Sequence, residues 1–265
     1  MRKPRLTVSN LPEFTQWIAE VGDRFASREY YEPPWFRGTG DARFHLVPGL
    51  YRSERGRETD ADGELRGEFQ RKALPMVAER APRNDWEWYF LMQHYRAPTR
   101  LLDWTDAALV ALYFALSSWN PAGGDSGSRS TPAVWALNPW ALNRASGYPT
   151  PVGPGFPSVK RYLPPTYTSL RRVPPHPIAM DPDFTAQRML VQHSHFTVHG
   201  RDTRGIDQMK ELRLGDSLFK VVVDFNEREI DSWRFDLTLA GITETTVFPD
   251  LEGLAHELTN EYQVK

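Results

Sequence analysis

Between Gln93 and Thr105 the chain gathers Gln93, His94, Arg96, Thr99, Arg100, Asp103 and Thr105. Strongly apolar stretches flank this run: Trp86-Glu87-Trp88-Tyr89-Phe90-Leu91-Met92 before it, and Ala107 to Leu116 after it. Polar groups so placed are drawn into the interior or a cleft, where each needs a partner. His94 offers a general acid–base or a ligand contact, with the alternative of a histidine satisfied at a helix C-terminus. Asp103 offers a carboxylate, Arg100 a guanidinium, Gln93 an amide. If the chain from Thr99 to Thr105 is regular, Thr99, Leu101, Asp103 and Thr105 share one face, and Arg100, Leu102 and Trp104 the other. Asp103 and Thr105 then look into one cleft, Thr105 at the start of the next helix, where phosphate or carboxylate is favoured. The alternative is that Thr105 only caps that helix and Asp103 anchors an arginine. Upstream, Trp35-Phe36-Arg37-Gly38 places a guanidinium that matches phosphate bidentately beside a glycine that lets a ligand approach the backbone. The competing reading is a structural Arg37 paired with Asp103 or Asp41.

A second group comprises Gln192, His193, His195 and His199. On a strand the three histidines share a face, which invites a metal. No HExxH accompanies them, and no metal is expected. Lys160-Arg161-Tyr162, Tyr167 and Arg171-Arg172 form a basic, aromatic, proline-rich stretch. Charge and stacking there suit single-stranded nucleic acid, but four charges in a near-neutral chain fit a solvated loop better.

These residues need elements to hold them. Phe14, Trp17, Ile18 and Val21 recur at helical spacing, so Glu13 to Phe25 is read as an amphipathic helix. Trp35–Gly38 is a short strand, and Leu46–Leu50 is irregular. A helix over Asp62–Arg80 is kinked at Pro75, and another is capped by Asn84 or Asp85 and ends near Tyr95. Pro98 forces Ala97 out of helical space, Thr99–Trp104 is extended, and Thr105 or Asp106 caps a helix to Trp119. Ala133–Leu137 is a central strand. Twelve of the 22 prolines fall between Pro121 and Pro177, which are read as long loops inserted in the domain and as lids. A helix follows from Pro182 to Val191. Phe196–Val198 and Phe219–Phe225 are strands, and Glu227–Leu239 is a helix stopped by Gly241. Thr245–Phe248 is a last short strand before a helix from Asp250. Strands and helices without regular alternation give an α+β fold: a short-stranded mixed central sheet flanked by helices.

Composition narrows the function classes. Hydrophobic residues make up 40% of the 265, with nine Trp, fourteen Phe and ten Tyr, so the chain has a substantial core and is not intrinsically disordered. With 32 basic and 34 acidic residues the net charge is −2, which favours neither nucleic acid nor an anionic membrane globally. Cysteine is absent, which removes disulfides, thiolate nucleophiles and Cys-ligated zinc. The N-terminus lacks an apolar signal-peptide core, and no run is long enough to span a bilayer; a cytoplasmic protein is expected.

Trp35-Phe36-Arg37-Gly38 and the Gln93-His94…Pro98-Thr99-Arg100-Leu101-Leu102-Asp103-Trp104-Thr105 segment resemble the FRG domain, a prokaryotic family named for its Phe-Arg-Gly. Gln192–Gly200 and Gly241–Leu254 fit as well. The resemblance implies a domain over residues 30–260, with 121–177 as a proline-rich insertion and 1–29 as an N-terminal helical segment. It implies a bacterial setting of phage or mobile-element conflict and names no reaction. The order of pieces is also similar in outline to ADP-ribosyltransferases, and that likeness implies NAD as co-substrate. Arg37 would then hold phosphate or ribose, with Gly38, Gln93, Arg100 and Thr105 beside it. Asp103 and Thr105 would flank the nicotinamide, with His94 near them and Gln192 or His199 at the third position. The acceptor would be a protein or a nucleic acid. The sequence departs from that outline because no Glu-x-Glu or Gln-x-Glu lies on a late predicted strand. Two other readings stand beside it: a hydrolase or nuclease using His94, Asp103 and His199, and a non-catalytic module that binds a nucleotide or a partner protein.

Overall fold

Among the described residues, short runs rich in β-branched and aromatic side chains build seven strands: β1 (Thr7–Val8), β2 (Trp35–Thr39), β3 (Leu101–Thr105), β4 (Ala133–Leu137), β5 (Ile178–Met180), β6 (Ser194–Val198) and β7 (Leu218–Val223). They form one sheet in the order β1-β7-β4-β2-β3-β6-β5. The β1–β7 pair is parallel and the other pairs are antiparallel, so the sheet is mixed and the fold is α+β. The computed structural model describes residues 4–26, 32–58, 60–77, 81–121, 130–163, 173–182, 193–225 and 229–262.

The helices are α1 (Leu11–Phe25), α2 (Ala61–Ala73), α3 (Asp85–His94), α4 (Ala108–Ser117), α5 (Pro139–Ala145), α6 (Ile230–Leu239), α7 (Glu244–Val247) and α8 (Leu251–Glu261). Asn10 starts α1 by accepting from the Glu13 amide at 2.9 Å, and Asn84 starts α3 by accepting from Glu87 at 3.0 Å. Each cap contributes about 1 kcal/mol. The expected apolar stripe of α1 buries Phe14, Trp17 and Val21 completely, at about 1.5–3 kcal/mol per side chain.

Strand alternation gives the sheet two packed faces. On one face lie two separate apolar clusters. Phe36, Val134, Ala136, Val221 and Val223 pack under α1, α4 and α6. Leu101, Ile178, Met180, Phe196 and Val198 pack with Trp86, Tyr89, Phe90 and Met92 of α3. The opposite face carries Trp35, Leu102, Trp104, Trp135 and Leu137 under α5 and the turns at 206–212. The first two clusters part at the β2–β3 seam. There the strands share one pairing, Phe36 with Thr105, whereas β2 pairs with β4 along its whole length.

Several expectations change. The helix expected to kink at Pro75 stops at Ala73 and passes into a 3-10 turn over Leu74–Met76; residues 78–80 lie outside the described residues. The helix after β3 begins at Ala108, capped at Ala107 with no side-chain bond, because the Thr105 hydroxyl is spent on the Ala107 amide at 3.0 Å. Thr245–Phe248 is not a strand. Thr243 accepts from the Thr246 amide, and the β-branched run winds into α7. Besides the expected strand β4, the stretch 121–177 supplies α5 to the body of the fold, so it is only partly loop. Residues 1–29 likewise give the sheet β1 and the core α1. The Pro182–Val191 helix falls almost wholly outside the described residues.

Candidate functional site

Where β2 and β3 part, a cleft of about 690 Å³ opens between α3 and α4. Arg37, Gln93, His94, Asp103 and Thr105 all line it. Arg52 and Arg96 line it too, though neither stood out as a site residue in the sequence. Its apolar walls include Phe36, Phe90, Phe114, Phe196 and Phe248.

A relay of hydrogen bonds fixes the polar residues. The Leu101 amide donates to the Thr99 hydroxyl at 3.0 Å. That hydroxyl donates to Gln93 Oε1 at 2.5 Å, and Gln93 Nε2 donates to Asp103 Oδ2 at 2.7 Å. Arg37 closes the relay by donating from Nη1 to the Asp103 backbone carbonyl at 2.6 Å, with the same nitrogen 3.8 Å from Oδ2. The Asp103 side chain remains 56% exposed to the cleft. Burial holds the Arg37 guanidinium below its ordinary value; Asp103 draws it back up and nearby Arg52 pushes it further down. One carboxylate therefore faces three guanidiniums, an excess of positive charge in a chain whose net charge is −2.

Gly38 lines the cleft for a different reason from the one expected. A Cβ there would collide with the Ala111 carbonyl and stand 2.5 Å from the Ala115 nitrogen. The space is taken by the backbone of α4, so Gly38 lets a helix, not a ligand, approach the strand.

Arg100 leaves the cleft altogether. It is fully buried, donating from Nε to Asp62 Oδ2 at 2.5 Å, from Nη1 to the His199 carbonyl at 2.5 Å, and from Nη2 to the Tyr162 carbonyl. Tyr89 joins them: its hydroxyl donates to Asp62 Oδ1 and accepts from the Arg100 amide. Burial opposes the charge on Arg100, but Asp62 and the two neighbouring tyrosines outweigh it, so the guanidinium stays above its ordinary value. Arg100 stands just before β3, and its guanidinium turns to Asp62 and to the His199 and Tyr162 carbonyls, not to the gap where Asp103 lies.

His199 accompanies Arg100 and not Asp103. It is fully buried, edge-on to Tyr51, and burial together with the Arg100 charge pushes its pKa down to about 3. An imidazole held neutral in the core, outside the cleft lining, is no catalytic partner for Asp103. Gln192 lies outside the described residues.

The three histidines divide as well. His193 Nδ1 lies 2.8 Å from Asp106 Oδ1, and His195 Nδ1 lies 2.8 Å from Asp181 Oδ1 while its ring stacks on Trp35. Burial opposes the charge on His195, but bonds to Asp106 and Asp181 overcome it and raise its pKa. The His195 bond in turn holds Asp106 below the usual carboxylate range. Among the described residues no group of three or more His, Asp or Glu is placed to hold a metal ion. No described helix is long and apolar enough to cross a membrane.

Residues 32–123 match the FRG domain family, a span that runs from just before β2 to just beyond α4. No curated protein and no solved structure matches the chain. The match takes in β2, α3, β3 and α4, which line most of the cleft, while Ser194 and Phe196 of β6 and Phe248, which line it too, lie beyond the match with the rest of 192–200 and 241–254. With the Phe36-Arg37-Gly38 strand and the Gln93–Thr105 segment meeting in one cleft inside those residues, the protein carries an FRG domain.

Proposed function

We propose that the cleft binds a phosphate-bearing nucleotide and that its reaction is NAD-dependent ADP-ribosyl transfer. The observation that carries the reading is Asp103: a half-exposed carboxylate fixed by Gln93 and Arg37 in a cleft whose lining also brings Arg52, Arg96 and several phenylalanine rings. Guanidiniums match phosphate oxygens, and the rings offer faces to a base or to nicotinamide. In the proposed step the bond from ribose C1 to the nicotinamide nitrogen breaks, and its electron pair leaves with nicotinamide. Positive charge then grows on C1 and the ring oxygen, where a preorganised carboxylate stabilises it. An acceptor nucleophile, on a protein or a nucleic acid, bonds to C1 and gives its proton to His94, the base at the end of α3 that lines the same cleft. A setting in phage or mobile-element conflict rests on the family resemblance alone.

A binding module without turnover is the second reading. It is favoured because Thr99, Gln93, Asp103 and Arg37 already satisfy one another without a substrate. A hydrolase built on His94, Asp103 and His199 loses its third member to the core.

Nicotinamide release from NAD by the full chain, with and without cell lysate, separates the two readings. Release that Asp103→Asn abolishes while the melting temperature holds supports transfer. No release, with NAD still raising the melting temperature, supports the binding module. Neither release nor a thermal shift overturns the nucleotide reading.

A further inference from the structure

Helix α3 ends in a two-bond cap. The Arg96 amide donates to the Gln93 carbonyl at 3.0 Å and the Ala97 amide to the Met92 carbonyl at 2.9 Å, with Arg96 at φ 60°. Such a cap places its turning residue in left-handed space, where glycine is the favoured occupant and a side chain is strained. An arginine stands there instead, exposed, lining the cleft, and with no ion pair among the described residues.

Arg52 reaches the same cleft from the 3-10 turn Gly49–Arg52. Its Nε donates to the Val47 carbonyl at 3.1 Å, and it too has no carboxylate partner among the described residues. The two arginines come from elements that touch: the Leu50 amide donates to the Thr99 carbonyl at 3.0 Å, and Gly49 packs on Pro98. Of the three guanidiniums in the cleft, only Arg37 is engaged by Asp103. Two like charges held in one cleft without compensation repel each other and gain from a multivalent anion. Strain kept at a cleft-lining residue is the kind of cost a ligand contact offsets.

We propose that Arg52 and Arg96 form a diphosphate-binding subsite, which takes the pyrophosphate of a nucleoside-diphosphate ligand by charge-assisted, forked hydrogen bonds. This rests on the nucleotide reading of the cleft. It adds which part of the ligand the cleft grips, the diphosphate, and the two residues that hold it.

The test is calorimetric titration of the full chain with ADP-ribose, ADP, AMP and adenosine, beside melting curves. ADP-ribose and ADP are expected to bind at least about tenfold more tightly than AMP, with adenosine weaker still. Arg96→Gly is expected to raise the melting temperature, by relieving the left-handed arginine, while weakening ADP about tenfold or more. Arg52→Gln is expected to weaken ADP similarly, and it keeps the test independent of the strained position. Equal affinity for AMP and ADP, with both variants binding ADP as the wild type does, overturns the subsite and leaves the nucleotide reading standing. No binding of any of the four to the wild type overturns both.

Discussion

Arg37 spans the seam between two central strands to give an N–H to the backbone carbonyl of Asp103 at 2.6 Å. The strands pair once, at Phe36 and Thr105, and then separate. An unpaired carbonyl inside a sheet is costly, and the guanidinium supplies the donor that a paired strand would have supplied. The same group brings positive charge to the Asp103 carboxylate. Arg37 thus props the cleft open and charges it.

Removing charge from Asp103 should separate chemistry from fold. Asp103→Asn keeps an acceptor for Gln93, and the side chain is more than half exposed, so stability should change by less than about 0.5 kcal/mol. Nicotinamide release should fall by about 10²-fold or more. Arg37→Ala should abolish release and also cost stability, since it orphans the Asp103 carbonyl; about 1–3 kcal/mol is expected in urea unfolding. Asp103→Asn at wild-type rate would remove this carboxylate from the reaction.

Gly38→Ala should be poorly tolerated although the residue lines the cleft. The added methyl meets the backbone of α4 at Ala111 and Ala115, and backbone cannot rotate away as a side chain can. A loss of at least about 3 kcal/mol, at the upper end for overpacking, is expected by thermal or urea unfolding. Wild-type stability with impaired ligand binding would instead make Gly38 a ligand-approach position.

The buried pair of Arg100 and Asp62 should be a determinant of stability. Asp62→Ala leaves a guanidinium in the core with only carbonyl partners, at an expected cost of about 3–5 kcal/mol. Nicotinamide release per folded molecule should be unchanged, because neither residue lines the cleft. A stable Asp62→Ala protein that had lost turnover would contradict that assignment.

Two histidines should shape the pH dependence of stability in different windows. His199 is held neutral, with a pKa of about 3. As pH falls below about 6.5 the unfolded chain takes a proton that the folded chain refuses, so stability drops, by up to roughly 1.4 kcal/mol per pH unit. His195 has a raised pKa, so its contribution is complete below its unfolded value and is lost as pH rises through the folded one. Unfolding curves for His199→Phe should therefore lose the acid slope, and those for His195→Gln the loss on the alkaline side. An acid slope that persists in His199→Phe would place the titrating group elsewhere.

Local rules made much of the frame legible from sequence. Helix α1 follows from the spacing of Phe14, Trp17 and Val21. The end of α3 follows from the geometry that Pro98 imposes, and the strands at Trp35, Ala133 and Phe219 follow from short apolar runs. Alternation along β3 was legible too, and it put Asp103 with Thr99 and Thr105. What alternation alone leaves open is which face meets solvent and what waits there. Asp62 is 38 residues from Arg100, and the His199 carbonyl is 99 residues from it. Their meeting turns a candidate ligand residue into a buried structural one, and no local pattern encodes it. Gly38 is similar, since a glycine beside a ligand and a glycine beside a helix read alike until α4 is laid across the strand. Thr245 and Thr246 have the side chains of a strand, yet a nearby cap decides for helix. Sequence determined which groups exist and how they alternate. Tertiary structure decided which of them share the gap between β2 and β3, because burial and charge pairing depend on distances that only the folded chain sets.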